Sequence, residues 1–411
     1  MSESIPSRPE NPETTRVIIV GAGLGGLACA MAMHYAGFEV IVFEKVREFL
    51  RLGDSLGLGE NALKLLKRWG LYEELIAIGN KNPVMNIRRW DDGKIMATQP
   101  LMDMAGYIGH RGDYHVAFIN RVKQLGIPIN MGHEIVSFDE DAPSVTLKDG
   151  RTFYADLIVG ADGIKSRARE LVLGFSDAPK SSGYACYRAY FKGEILKDVP
   201  ACQEYLKQDC VNIWIGEDKH LVQNTLRDGE EFNWIITHKD TADIQESWFQ
   251  PGNMDDVREL VQGWDESIAS AVRATPSCLD WKICYRAPLP TWTRVYEKLR
   301  FDRVRQSQLS GEDLRNRWHN ALKHMDDGTE FDPDDIKIKN RWLYPYDAEE
   351  DTKARWGEVS SKVQQELDSG EIIPLFGEDG PTRVLTVRDA YGKVKDVPPS
   401  QSSLLTSSLT V

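Results

Sequence analysis

The residues that could do chemistry fall into two short stretches. In the first, Gly21, Gly23 and Gly26 stand in G-x-G-x-x-G spacing, and Glu44 follows 18 residues after Gly26. Such glycines permit a tight turn, a close approach to a pyrophosphate and close helix–strand packing. An acid at about that distance accepts a ribose hydroxyl. In the second, Asp162-Gly163 is followed by Ser166, Arg167 and Arg169. A carboxylate there can hold ribityl or pyrophosphate hydroxyls, and Gly163 lets the chain pass closely. The alternative is a strand–turn–helix in which Ser166 only helps the helix start. Two arginines add candidates. Arg111 offers a bidentate fork to a phosphate or ring carbonyl, or is an exposed loop arginine. Arg188, inside YACYRAYF, is costly in a strand unless paired or facing a cavity, and is either a cation beside an anionic substrate or cofactor or a solvent-facing strand arginine.

The elements around these residues have to position them. Arg16–Val20 is a β-branched run of the kind found in buried parallel strands, Leu24–Ala36 is small and apolar, and Glu39–Phe43 is a second strand. A strand–glycine turn–helix–strand unit ending on Glu44 predicts an ADP-bearing cofactor, without choosing between NAD(P) and FAD. Ala155–Val159 is a further buried strand running into Asp162. The loop Gly53–Gly59 carries three glycines, which either let the backbone near the cofactor or serve ordinary turns. Short aromatic and β-branched strands, Tyr184–Ile195, Val211–Ile215, His220–Leu226 and Phe232–Thr237, predict an antiparallel sheet, with Asn224 and Asn233 on one face. His220 and His238 read as ordinary strand-end residues. Helical spacing returns over Val257–Thr275, from Val295 onward and over Ala354–Leu367.

The chain has 411 residues, 41% of them hydrophobic, and a net charge of −13. That length suits two or three domains, and the acidic surface argues against nucleic acid or anionic membrane as partner. No apolar run is long enough to span a bilayer, and the polar start MSESIPSRPENPETTR is not a signal peptide. Six cysteines without a C-x-x-C pair point to reduced thiols in the cytoplasm. No metal site is expected.

GAGLGG with Glu44, His110-Arg111 and ADGIKSRAR, in that order, resemble the group A FAD-dependent aromatic monooxygenases, most closely the fungal salicylate-hydroxylase-like members. The likeness runs from about Val17 to about Trp356 and includes LDWKICYRAPLPTW and QSQLSGEDLRNRWH. It implies an α/β fold: a Rossmann-like FAD-binding domain with a parallel sheet, an antiparallel-sheet substrate domain and C-terminal helices. The expected division is an N-terminal arm over 1–15, FAD domain over 16–182, substrate domain over 183–290, FAD-domain remnant with helices over 291–376 and a disordered tail over 377–411. The resemblance gives Gly21, Gly23, Gly26 and Glu44 to the FAD adenosine and pyrophosphate. It gives Gly57 to the lining of the FAD site, Arg111 to the flavin end, Asp162 and Gly163 to FAD and NAD(P)H, and Arg188 to a substrate phenolate. Relatives carry a tyrosine where this chain has Asn224. FAD would be the cofactor, NAD(P)H and dioxygen co-substrates, and a phenolic small molecule the substrate.

One departure stands out. Family members follow the LPTW segment with a strand and a G-D-x-x-H-x-x-x-P motif whose aspartate holds the FAD ribityl region. Here Pro290-Thr291-Trp292-Thr293-Arg294 runs straight into Val295. An internal deletion would remove a strand beside Ala155–Val159 and a helix facing the flavin. It opens an alternative reading, a non-catalytic FAD-domain relic that binds without turnover.

Overall fold

The structure is a computed structural model; it describes residues 14–51, 53–81, 84–101, 107–139, 142–173, 179–240, 250–285, 294–326, 332–369, 386–388 and 394–396. In chain order the elements are β1 (Arg16–Val20), α1 (Leu24–Tyr35), β2 (Glu39–Glu44), β3 (Ser55–Leu58), α2 (Glu60–Arg68), α3 (Tyr72–Ile78), β4 (Asn80–Lys81), β5 (Val84–Arg89), β6 (Ile95–Pro100), β7 (Tyr107–His110) and α4 (Arg111–Gln124). Then come β8 (Ile129–Met131), β9 (Ile135–Asp139), β10 (Ser144–Leu147), β11 (Thr152–Tyr154), β12 (Leu157–Gly160), α5 (Arg167–Leu173), β13 (Lys180–Lys192), β14 (Val211–Gly216), β15 (Lys219–Leu226) and β16 (Glu231–Lys239). The chain continues through α6 (Met254–Leu260), α7 (Glu266–Ala274), β17 (Leu279–Tyr285), α8 (Arg294–Asp326), α9 (Ala348–Ser369), β18 (Thr386–Arg388) and β19 (Val394–Asp396).

The first sheet is parallel, in the order β12-β1-β2-β8. Its composition follows from being covered on both faces. Val17 and Ile19 of β1 pack with Leu27 and Met31 of α1 and Val122 of α4, whereas Ile18 packs with Ile41, Phe43, Val145 and Leu147 under the β9–β11 meander. A strand buried on both sides has no polar face to show, hence RVIIV.

The second sheet has seven strands in the order β17-β13-β16-β15-β14-β5-β6. Its back packs on α6 and α7 through Tyr187, Trp214, Phe232, Trp234, Val257 and Ile268. Two features differ from expectation. Val84–Pro100 joins this sheet, with β5 parallel to β14, instead of staying with the cofactor half. The Gly53–Gly59 loop contains a strand, because β3 pairs antiparallel with β7.

Contacts divide the chain into two units. One takes in residues up to Leu171, Asp177–Arg286 and Ser310–Pro345, and so holds both sheets. In the other, Leu299 of α8 and Val359 and Val363 of α9 are buried, Arg300 donates to the Ala348 carbonyl at 2.8 Å, and Arg303 stacks 3.5 Å from the Tyr346 ring centroid. The N-terminal arm and most of the expected C-terminal tail lie outside the described residues; within that tail β18 and β19 pair antiparallel, built on the β-branched Thr386, Val387 and Val394. Among the described residues no helix is long and apolar enough to cross a membrane.

Candidate active site

The glycine turn is shaped by contacts that only glycine tolerates. Gly21 has φ +105°, and a Cβ on it would lie 2.4 Å from the Ala161 carbonyl oxygen. A Cβ on Gly26 would lie 1.9 Å from the Gly21 oxygen, so α1 sits directly on the turn. Around Gly23 and Gly25, by contrast, a Cβ would meet nothing within 4 Å. Gly23 caps α1 without a side chain, and the first turn of the helix has no acidic residue. The leading amides and the positive end of the helix therefore face open space at the place where a pyrophosphate fits.

Glu44 is fixed by backbone. Its Oε2 accepts from the Ala22 amide at 2.8 Å and its Oε1 from the Val46 amide at 3.0 Å. Each oxygen keeps a lone pair for a ribose hydroxyl. His115 of α4 lies 2.7 Å from the Ala22 carbonyl through Nε2. Burial lowers its pKa, so the neutral ring donates from Nε2 and ties α4 to the turn. Nothing in the local sequence marks His115 for this task.

At the second stretch both Asp162 oxygens are in use. Oδ1 accepts from the Ser166 hydroxyl at 2.6 Å, and Oδ2 from the amides of Arg167 at 2.7 Å and Ala168 at 3.3 Å. The carboxylate thus caps α5. Toward a ligand the turn presents Gly163, at φ +81° with open space around it.

The loop between β2 and α2 joins the cofactor half to the second sheet. The Arg111 amide donates to the Asp54 carbonyl at 2.8 Å, while the Arg111 side chain is exposed. Gly57, also exposed, pairs with Ile108 across β3 and β7. His110 is buried and caps α4, its Nδ1 accepting from the Gly112 amide at 3.0 Å.

Register places side chains on the sheet in rows. Val222, Ile235, Arg188 and Leu279 form one row across β15, β16, β13 and β17; His220, Thr237, Cys186 and Trp281 form the next; Asn224, Asn233 and Tyr190 form the row on the other side. Arg188 and Asp54 pair at 2.8 Å, each side chain about nine-tenths buried, and the guanidinium carbon lies 3.6 Å from the Trp281 ring centroid. Burial lowers the Arg188 pKa. Burial raises that of Asp54, against the pull of Arg188 and Arg111. Asn224 accepts from Ser55 and from Asn233, both at 2.8 Å, so the two asparagines do share a face. Solvent reaches the middle of the sheet only partly: Cys186, Val222 and Ile235 are half-buried, whereas Asn224 and Asn233 are sealed. His220, read from sequence as a strand-end residue, shares a 2.9 Å hydrogen bond with His319 of α8. Burial first, then His319 and Arg315, hold its pKa down to about 3, so the ring is neutral. Asp54, Ser55 and His319 were not visible as site residues in the sequence, because each meets its partner far along the chain.

A Rossmann-type half with a pyrophosphate-shaped turn, tied by the loop after Glu44 to a mostly antiparallel sheet with buried polar groups on its face, defines a two-part flavoprotein. The chain matches the FAD binding domain family over residues 14–305 and belongs to it. It is 31% identical over 288 residues to 6-hydroxynicotinate 3-monooxygenase of Bordetella bronchiseptica, covering 68% of this chain and 73% of that one. It is 28% identical over 291 residues to the FAD-dependent monooxygenase OpS4 of Beauveria bassiana, covering 68% of each. Among solved structures, FqzB superposes with a TM-score of 0.75 at 25% identity, over 89% of this chain and 97% of that one. A salicylate hydroxylase substrate complex superposes at 0.69 with 18% identity, over 84% and 98%, which speaks to the fold alone.

Proposed function

We propose that this chain is an FAD-dependent monooxygenase that hydroxylates a phenolic small molecule with NAD(P)H and dioxygen. The observation that carries the reading is the open cradle at Gly23, set between turns that tolerate only glycine and the fixed carboxylate of Glu44. Gly21 and Gly26 shape the cradle, the α1 amides hold the pyrophosphate, and Glu44 takes the adenosine ribose. Gly163 and Gly57 leave room for the isoalloxazine and ribityl portions, with Arg111 at the flavin end. When bound, FAD supplies the electron transfer and oxygen activation that no side chain provides. The protein orients the ring, limits water and supplies charge. Val222, Ile235 and Cys186 offer the half-buried surface for the ring. Arg188, held by Asp54 and stacked on Trp281, stabilises negative charge developing on a ring oxygen. The six free cysteines support a reducing, cytoplasmic setting.

The test is a visible spectrum of the purified chain with added FAD, then NAD(P)H oxidation with a panel of phenols and mass analysis of products. Flavin absorbance, phenol-stimulated oxidation and a product heavier by one oxygen are expected. Absence of flavin uptake refutes the reading.

We also infer that a segment is missing between Arg294 and Val295. Its support is the edge of the parallel sheet. Among the described residues β12 has a partner on one side only, and Leu157 on it is 41% exposed. An apolar edge strand left open is unusual and invites pairing. Sequencing the transcript tests this; a message that encodes Arg294-Val295 without an intervening splice junction would count against it.

A further inference from the structure

At one end of the second sheet three cations gather round two carboxylates. Arg51 grips Asp113 with Nε and Nη2, at 2.7 and 2.9 Å, and reaches Glu231 at 3.2 Å. Arg227 donates to Asp113 at 2.8 Å and lies 3.7 Å from Glu231. Lys192 donates to Glu231 at 3.4 Å. Three cations thus share two carboxylates. The arrangement is layered: the side chains of Asp113 and Glu231 are 18% and 1% exposed, those of Arg51, Arg227 and Lys192 are 40%, 47% and 62% exposed. The carboxylates of Asp113 and Glu231 lie underneath and hold the cations in place, while the cations face solvent beside the exposed Asp228 and Glu230.

A second, independent feature lies at the same spot. Arg227 and Asp228 open the four-residue turn between β15 and β16 with φ of 56° and 55°, the left-handed region in both. The loop spans four residues between the paired Leu226 and Glu231, and a long side chain in the left-handed region is uncommon. Strain of this sort is kept where function requires it. Here it aims the Arg227 guanidinium at Asp113. The cluster also adjoins the flavin-end loop: Asp113 is two residues beyond Arg111, and Arg51 is three before Asp54.

We propose that Arg51, Lys192 and Arg227 form the landing site for a phosphate of the nicotinamide dinucleotide co-substrate. The proposal rests on the reading that NAD(P)H reduces the flavin. Two guanidinium forks and an ammonium suit a phosphate, the forks bidentately and the lysine as a point charge.

The experiment uses the full chain loaded with FAD. Binding of 2′-phospho-ADP-ribose and of ADP-ribose is measured by calorimetry for wild type, Arg227→Asn, Lys192→Gln and Lys192→Arg. Asparagine tolerates the left-handed turn better than arginine, so Arg227→Asn separates binding from folding; its thermal midpoint is expected to be no lower than that of wild type. Arg227→Asn and Lys192→Gln are expected to weaken binding at least tenfold, and Lys192→Arg to keep it. KM for the nicotinamide should rise more than kcat falls, with KM for the phenol unchanged. Loss confined to the phosphorylated probe assigns the site to the 2′-phosphate; loss for both assigns it to the pyrophosphate. Wild type that binds neither probe, or variants that bind like wild type, overturns the landing site. Failure to take up FAD refutes the proposed function instead, so the two outcomes are distinct.

Discussion

Two alanines in the same turn should have opposite signatures. In Gly26→Ala the new Cβ falls 1.9 Å from the Gly21 oxygen and 3.2 Å from the Ala161 Cβ. The first distance is ~1.5 Å short of ordinary contact, so α1 must retreat from β1. Leu27, Ala30 and Met31 on that helix are fully buried, and retreat opens their packing. The expected cost is about 1–3 kcal/mol in the apoprotein, the range for overpacking. In Gly23→Ala the Cβ meets nothing, and φ is −69°, comfortable for alanine. A slightly poorer cap offsets a less flexible unfolded chain, leaving apo stability within ~0.5 kcal/mol. The added methyl instead occupies the approach of the pyrophosphate. Losing one or two charge-assisted amide contacts costs about 3 kcal/mol, on the order of 100-fold in FAD affinity. Urea unfolding of the apoprotein and FAD titration by fluorescence quenching separate the two quantities. Gly23→Ala binding FAD as tightly as wild type, or Gly26→Ala leaving the apoprotein unchanged, would refute the assignment of the turn.

Other perturbations test other joints. Asp54→Asn leaves the Arg188 guanidinium buried beside a neutral amide and should lower unfolding free energy by about 3 kcal/mol, the cost of orphaning a buried charge; Asp54→Asn with Arg188→Met should recover more than half, read from urea midpoints. Asp162→Ala removes the cap of α5 and should cost about 1–2 kcal/mol in the same assay, with Asp162→Asn costing less. Burial pushes the Asp209 pKa up to about 6 from an ordinary 3.8. The folded chain therefore binds that proton more tightly than the unfolded chain. Its contribution to stability is greatest below pH 4 and declines as pH rises toward 6. Asp209→Asn should remove that decline and be stabilising at pH 7, on the order of 1 kcal/mol after allowing for its partial exposure, in denaturation midpoints measured across pH.

What could be seen in the sequence is what is encoded locally. The strand Arg16–Val20, the three glycines and Glu44 lie within 29 residues, and each is legible from its own type and spacing. The antiparallel sheet is legible from its short aromatic and β-branched strands, and Asn224 and Asn233 do share a face. The rest depends on contacts across long sequence separations. Ser55 meets Asn224 169 residues away, and Arg51 meets Glu231 180 residues away. No local pattern announces either. Val84–Pro100 falls within the 16–182 range for the same reason: only the fold supplies β14 as its neighbour. From sequence the helix-start helper beside Asp162 is Ser166; in the structure the Asp162 carboxylate itself accepts from the amides of Arg167 and Ala168, a role its local pattern does not announce.

The loop after Glu44 carries more of the mechanism than the sequence suggested, and Asp54 shows why. Its carbonyl accepts the Arg111 amide, its carboxylate pairs with Arg188, and the adjoining Ser55 hydroxyl donates to Asn224. One short segment thus holds both the arginine expected at the flavin end and the arginine expected at the substrate. On the proposed function, an anionic ring oxygen arriving at Arg188 would share the guanidinium with Asp54, so its negative charge would be felt by the segment that fixes Arg111. Coupling of this kind needs no wire of residues: two arginines answer to one aspartate, and whatever changes the charge at one changes the anchor of the other.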